Sequence, residues 1–270
     1  MHSPTQNPES PADYIWNTFT CGENTVYLWQ NGTLKVWFKR TNNDWLIASK
    51  TSTAHEDLTR LTELEKEPEQ IEWGRWSLGS DANQINFSQE MPDRPLLVKT
   101  LITSYLPPGT SATFYTSIPL AVKISIVQEN KTIELLRLNS LQLSNTWFGD
   151  NFEGKLCYAF KTKALREHQH ATKAPHRAIC PVMIKNDADL ALPIQRICIR
   201  VKNLNLYKGT QHFWTNRVNV NFRGNGLPSR LEYEKSAPEE LEHAVLVKKA
   251  EEAPENKFLS TLGHSFLNIF

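Results

Sequence analysis

The chain has 270 residues, with 30 Lys plus Arg against 29 Asp plus Glu and a formal net charge of +1. A balance so near zero excludes a surface built throughout to neutralise a nucleic-acid backbone. No apolar run approaches the roughly 18 residues that span a bilayer as a helix, and the length suffices to bury one large β core or two smaller ones.

The first residues, MHSPTQNPESP, lack a basic start followed by an apolar run. They read as a polar disordered tail over 1–11, with neither secretory leader nor membrane anchor, so a cytoplasmic location is expected. An N-terminal β-rich unit follows over 12–90. Its strongest signal is VYLWQNGTLKVWF, residues 26–38, where alternating side chains flank Asn31-Gly32 and predict a tight hairpin. Val26, Leu28, Leu34, Val36 and Phe38 are expected on one face and Tyr27, Trp29 and Trp37 on the other. A short strand around Trp45–Ala48 comes next. In STAHEDLTRLTELEKE, residues 52–67, hydroxyl residues precede an acidic turn, and Leu58, Leu61 and Leu64 recur at near-helical spacing, which predicts one surface helix.

From residue 71 onward, short apolar-polar runs separated by Pro, Asn and Gly predict strands: QINFS, PLLVKTLI, ATFYTSI, AVKISIVQ, TIELLRL, KLCYAFKT, RAICPVMIK, PIQRICIRV and RVNVNFR. The spacing predicts a mainly β chain, with an antiparallel immunoglobulin-like β-sandwich over 91–225. Beyond Gly224-Asn225-Gly226 the composition changes. Pro238 reads as a helix start and Pro254 as a break, so 226–270 is expected to be a helical C-terminal extension. Its last segment would place Phe258, Leu262, Phe266 and Phe270 along one apolar side, suited to docking on this protein or on a partner.

Three surfaces are candidates for function. GDNFEGKL, residues 149–156, has two glycines five apart and a lysine, as phosphate-cradling loops do. Leu156, however, replaces the metal-binding hydroxyl, Asp150 and Glu153 sit where phosphates would lie, and KLCYAFKT alternates as a strand. A connection between strands running from Leu143 to Lys155 is therefore expected, with no nucleotide. Its Trp147 and Phe148 either plug the end of the sandwich or form an aromatic platform. The segment from Lys161 to Arg177 holds five Lys or Arg, three His and one acidic residue, Glu167. Lys163, Arg166, His168, His170, His176 and Arg177 are its candidate contacts for an anion or partner, unless the loop is simply solvated or paired with the acidic stretch Glu56–Glu72. His168, His170, His176 and Cys180 are of types that zinc accepts, but their spacing assigns no metal, and no cofactor is expected. Cys21, Cys157, Cys180 and Cys198 read as reduced core thiols. No GxSxG, HExxH, CxxC or dinucleotide fingerprint occurs.

TFYTSIPLAVKI, SNTWFGDNFEGKLCYAFKT, APHRAICPVMIKN and NLNLYKGTQHFWT together resemble an uncharacterised prokaryotic family known only as a domain of unknown function, number four-thirty-two. The resemblance covers residues 70–225 and is most specific in Trp-Phe-Gly and Glu-Gly-x-Leu-Cys-Tyr. It implies no catalytic residue, substrate or cofactor. The expectation is a non-catalytic cytoplasmic binding or scaffold protein with a protein partner, no nucleic acid, no transmembrane segment and no peripheral membrane contact. The alternative is a small-ligand-binding or metal-dependent enzyme with its site between the Trp147 loop and the His168–His176 loop.

Overall fold

A computed structural model describes residues 15–52, 58–128, 131–149, 154–224 and 229–253. The chain divides into two compact units, Met1–Glu90 with Leu120–Gln142, and Met91–Pro119 with Leu143–Phe270. Strands β1 (Thr18–Thr20), β2 (Val26–Asn31), β3 (Leu34–Arg40), β4 (Asp44–Thr51), β5 (Thr59–Leu64), β6 (Gly74–Ser77) and β7 (Gln84–Glu90) belong to the first unit. The chain leaves it for β8 (Leu96–Leu106) and β9 (Ser111–Pro119), then returns as β10 (Ala121–Gln128) and β11 (Lys131–Asn139). The second unit is completed by β12 (Ser144–Phe148), β13 (Lys155–Thr162), β14 (Arg177–Asn186), β15 (Leu192–Ile199), β16 (Leu206–Lys208), β17 (Phe213–Thr215), β18 (Val218–Phe222), β19 (Arg230–Tyr233) and β20 (Val245–Lys248).

In the first unit two antiparallel sheets, β5-β2-β3-β4-β6 and β1-β7-β10-β11, share one apolar core. The β2–β3 hairpin forms as its pattern predicts, but its two turn residues are Gly32 and Thr33, because Asn31 pairs with Leu34 in the ladder. Gly32 supplies the positive φ of 59° that the first position of such a turn requires. A two-residue turn placed there pairs odd positions of β2 with even positions of β3. Tyr27 and Trp29 therefore share the core face with Leu34, Val36 and Phe38, and the expected division of faces is corrected accordingly.

Among the described residues of 52–67 the expected surface helix is not formed. Thr59–Leu64 is strand β5, paired along the whole of β2 from Val26↔Leu64 to Asn31↔Thr59. The open side of β2 offers a full row of backbone donors and acceptors, and satisfying them outweighs one narrow leucine stripe. Leu61 then packs into the core while Leu58 stays exposed.

The second unit has one sheet ordered β12-β13-β8-β15 and another ordered β19-β18-β14-β17-β16-β20, with β9 on the other side of β14. An immunoglobulin-like arrangement is not supported. Most pairs are antiparallel, but β13 runs parallel to β8, and β14 runs parallel to both β17 and β18. The expected helical extension is also corrected: Val245–Lys248 is an edge strand on β16, and Pro238–Leu241 is a turn closed by the Leu241 amide donating to the Pro238 carbonyl at 3.0 Å. Among the described residues no helix exceeds three residues, and none is long and apolar enough to cross a membrane. The tail contacts Phe258, Leu262, Phe266 and Phe270 lie outside the described residues, as do residues 1–11, Asp150 and Glu153.

The glycine-lysine segment joins two neighbouring strands. Trp147 pairs with Leu156 and Phe148 with Lys155, so Gly149 begins the connection of an antiparallel hairpin, and residues 155–162 alternate as a strand. Gly149 has φ 110°, and a Cβ on it would come within 2.8 Å of the Gly154 Cα. Gly149→Ala is expected to destabilise the second unit by about 1–3 kcal/mol, through left-handed strain and this backbone clash. The urea unfolding midpoint measures it, and an unchanged midpoint would show that the hairpin relaxes around the extra methyl.

Candidate functional site

Alternation along β12 sends its two aromatic residues opposite ways. Trp147 is 50% exposed on an edge strand, whereas Phe148 is buried in a cluster with Leu97, Cys157 and Cys198. The histidine segment lies along the fold instead of projecting from it. Leu165 exchanges both backbone hydrogen bonds with Tyr115, and the His168 ring sits 5.5 Å from Tyr115 and 5.3 Å from Trp214. Arg166 stacks over Phe114 and Arg177 over Phe160, each at 5.3 Å. His176 is buried, His170 stands beside Glu167 at 3.5 Å, and Lys163 is exposed. Cys180 is fully buried, and its backbone carbonyl accepts from the Thr116 hydroxyl at 3.2 Å. Among the described residues no group of three His, Cys, Asp or Glu side chains is placed to hold a metal ion.

A cavity of about 710 Å³ opens elsewhere in the second unit. Since β8 and β13 are parallel to one another and β15 is antiparallel to β8, the starts of β8 and β13 and the end of β15 fall at one end of their sheet. That end delivers Asp93, Arg94, Lys155 and Arg200 to the cavity, the 3-10 turn Val201–Asn203 adds Lys202, and β19 adds Tyr233 from the other sheet. Glu252 completes the charged lining: four cations against two carboxylates.

The four cations are not equivalent. Arg94 is engaged by Asp93 at 3.5 Å, donates to Asn145 Oδ1 at 2.7 Å and stacks over Tyr158 at 5.3 Å. Lys202 faces Glu252 at 3.8 Å. Lys155 and Arg200 are paired with no carboxylate among the described residues, and the Tyr233 hydroxyl is buried with no hydrogen-bond partner among them. Burial pushes the Tyr233 phenol above its usual range, so it stays protonated and is a donor in search of an acceptor. Two cations without carboxylate partners, lining one concave space, suit a negatively charged ligand with several acceptor oxygens.

Two thiols lie just behind this wall. The Cys157 thiol donates to the Lys155 carbonyl at 3.5 Å, and Cys157 and Cys198 share one apolar cluster with Leu97 and Phe148.

The sequence had marked Lys155 only as part of a failed nucleotide loop and Arg200 not at all. Each is a charge at the end of a strand, and only the sheet order shows that the two ends coincide. A family model described as Protein of unknown function (DUF432) matches residues 15–268, extending the resemblance over 70–225 in both directions. No curated protein and no solved structure matches the chain.

Proposed function

The chain belongs to the DUF432 family, and on that premise we propose that it is a non-catalytic binding protein whose ligand is a small anion held in the cavity of the second unit. The observation that carries this reading is the convergence of Lys155 and Arg200, without carboxylate partners among the described residues, beside the buried Tyr233 hydroxyl. A guanidinium and an ammonium at the edge of a partly desolvated space attract negative charge more strongly than the same groups on open surface. A cytoplasmic location is part of the proposal, supported by the four free cysteines.

Thermal unfolding in inorganic phosphate and in glycerol phosphate, each against chloride of matched ionic strength, tests it. Ligand in about hundredfold excess over its dissociation constant is expected to add about 2.7 kcal/mol of stability. The double variant Lys155→Gln, Arg200→Gln is expected to lose that gain while keeping its unfolding midpoint in chloride. A parent protein stabilised no more by either phosphate than by chloride would end the reading. A second reading, a protein partner docking on the half-exposed Trp147 of edge strand β12, rests on that exposure. It falls if Trp147→Ala leaves partner recovery from native extracts unaltered.

A further inference from the structure

The sheet β12-β13-β8-β15 carries no carboxylate on any of its four strands, while Lys99, Lys155, Lys161 and Arg196 give it four cations. Three of these meet. Lys99 of β8 pairs with Lys161 of β13 on one side and with Arg196 of β15 on the other. Residues directly opposite in neighbouring strands project from the same face, so the three form a row of like charges across the sheet. Lys99 and Lys161 are exposed and Arg196 is half-buried, and none of the three has a carboxylate partner among the described residues. Lys163, also exposed, follows two residues beyond Lys161. Like charges directly opposite one another destabilise a sheet, and a surface of opposite charge relieves them.

Immediately beyond this row β8 leaves the ladder. Arg196 pairs with Lys99 but Ile194 with Ser104, so Gln195 alone stands opposite Thr100, Leu101, Ile102 and Thr103. The Thr100 hydroxyl is placed to donate to the Ile194 and Gln195 carbonyls, at 3.3 and 3.1 Å, which closes the neck of the bulge. The excess chain bows outward. Leu101 is 61% exposed, and Ile102, at 81%, is the most exposed large apolar side chain among the described residues. Adjacent strand residues point to opposite faces, so both can be exposed only where the chain stands clear of the sheet. Tyr105, 69% exposed, follows where β8 rejoins β15 opposite Pro193. Leu101 lies two residues from Lys99, about 7 Å along the strand, so the aliphatic tip and the cation row are one continuous surface.

We propose that this part of the second unit docks on an anionic lipid bilayer, with Leu101 and Ile102 entering the boundary between headgroups and acyl chains and the row Lys161, Lys99 and Arg196 meeting lipid phosphates. Shape and chemistry favour this occupant. A protruding aliphatic knob offers a peptide no groove to fill, and leucine and isoleucine lack the aromatic faces on which nucleic-acid bases stack. A fluid bilayer needs no shaped counterpart for the knob. Two aliphatic side chains alone give only weak, reversible partition, and firm attachment takes a second signal, which clustered basic residues supply. Both signals are side by side here, and Tyr105 stands at the level where amphipathic rings favour headgroups. The proposal departs from the expectation of no peripheral membrane contact. In the sequence Leu101-Ile102 lies within an ordinary strand pattern and the three cations are far apart; strand pairing brings them together.

The full-length protein is sedimented with vesicles of phosphatidylcholine and with vesicles in which about one-third of the lipid is phosphatidylglycerol. Expected is recovery on the anionic vesicles about tenfold or more above that on phosphatidylcholine alone, falling as salt rises. The pair Leu101→Ser, Ile102→Ser and, separately, the triple variant Lys99→Gln, Lys161→Gln, Arg196→Gln are each expected to lower that recovery about tenfold. Neither is expected to lower the urea unfolding midpoint, because all five side chains are exposed or half-buried and the triple variant relieves like-charge repulsion. Ile102→Cys carries an environment-sensitive fluorophore, the four native cysteines being buried, and its emission is expected to shift to the blue on anionic vesicles only. No recovery on anionic vesicles, equal recovery on neutral ones, recovery unchanged in either variant, or an unshifted label would each overturn the proposal. So would retention of RNA, lost in the triple variant, by a protein that leaves vesicles unbound. The parent measurements decide it even if a variant fails to fold. They do so whether or not the cavity binds phosphate, since recovery through a headgroup held at Lys155 and Arg200 would persist in both variants.

Discussion

Trp29→Ala is expected to cost the first unit about 3–5 kcal/mol, the range for deleting a fully buried large aromatic ring. Trp29 is buried between the two sheets. Its ring stacks on Phe87 of the opposite sheet at 4.8 Å and 7°, and meets Trp16 edge-on at 5.5 Å. Its Nε1 donates to the Ile15 carbonyl at 2.8 Å. Alanine therefore leaves a cavity, removes an aromatic pair that bridges the sheets and strands a buried carbonyl. Trp29→Phe keeps a stacked ring and is expected to lose about half as much. Urea unfolding of both variants separates packing from the hydrogen bond, and a loss below about 1 kcal/mol for the alanine variant would show that the core closes over the gap.

Glu240→Ala is expected to destabilise the second unit by about 2–3 kcal/mol and to flatten its pH profile. Glu240 accepts from Arg217 through both oxygens, at 2.9 and 3.0 Å, and from the Tyr115 hydroxyl at 2.6 Å. Removing the carboxylate leaves a half-buried guanidinium and a phenol unpaired together. Burial opposes ionisation of Glu240, but hydrogen bonds from Tyr115 and the Arg217 charge prevail and hold it below the usual carboxylate range. Its contribution is therefore present above the unfolded carboxylate range and lost as pH falls through the lowered folded value. Tyr115 acts at the other end. Burial, with the Glu240 hydrogen bond, pushes its phenol up to about 12, so its contribution is full below the free phenol's range and lost as pH climbs through about 12. The parent protein is expected to lose stability on both flanks and the variant to lose less on each. Equal profiles from urea midpoints across pH would remove this network from the account.

Strand positions were legible wherever alternation was strong. The β2–β3 hairpin announced itself because apolar residues fill both sides of an Asn-Gly pair, yet its pattern left open which two residues turn. That one-residue choice decided whether Trp29 faced the core. Leu58, Leu61 and Leu64 satisfied a helix template because a spacing of three is compatible with either structure when the segment is short; the tie was broken by the unpaired edge of β2, which is distant in sequence. Val245–Lys248 fell within the extension read as helical from Pro238, and its pairing with β16 is likewise distant in sequence. The aromatic pair Trp147-Phe148 presented two alternatives, and the pleat assigns one residue to each. The cavity was hidden, since Lys155, Arg200 and Tyr233 acquire a common neighbourhood only through a parallel pairing that local pattern does not encode.

The interleaved order of the strands also constrains how the polypeptide can be born. When residues 1–90 have left the ribosome, β7 still lacks β10, and the core lacks Val122, Ile124 and Ile126. The first unit must therefore wait, unsealed, while β8 and β9 of the other are synthesised, so a premature stop near residue 90 would yield a fragment with a bare ladder edge and a strong tendency to aggregate.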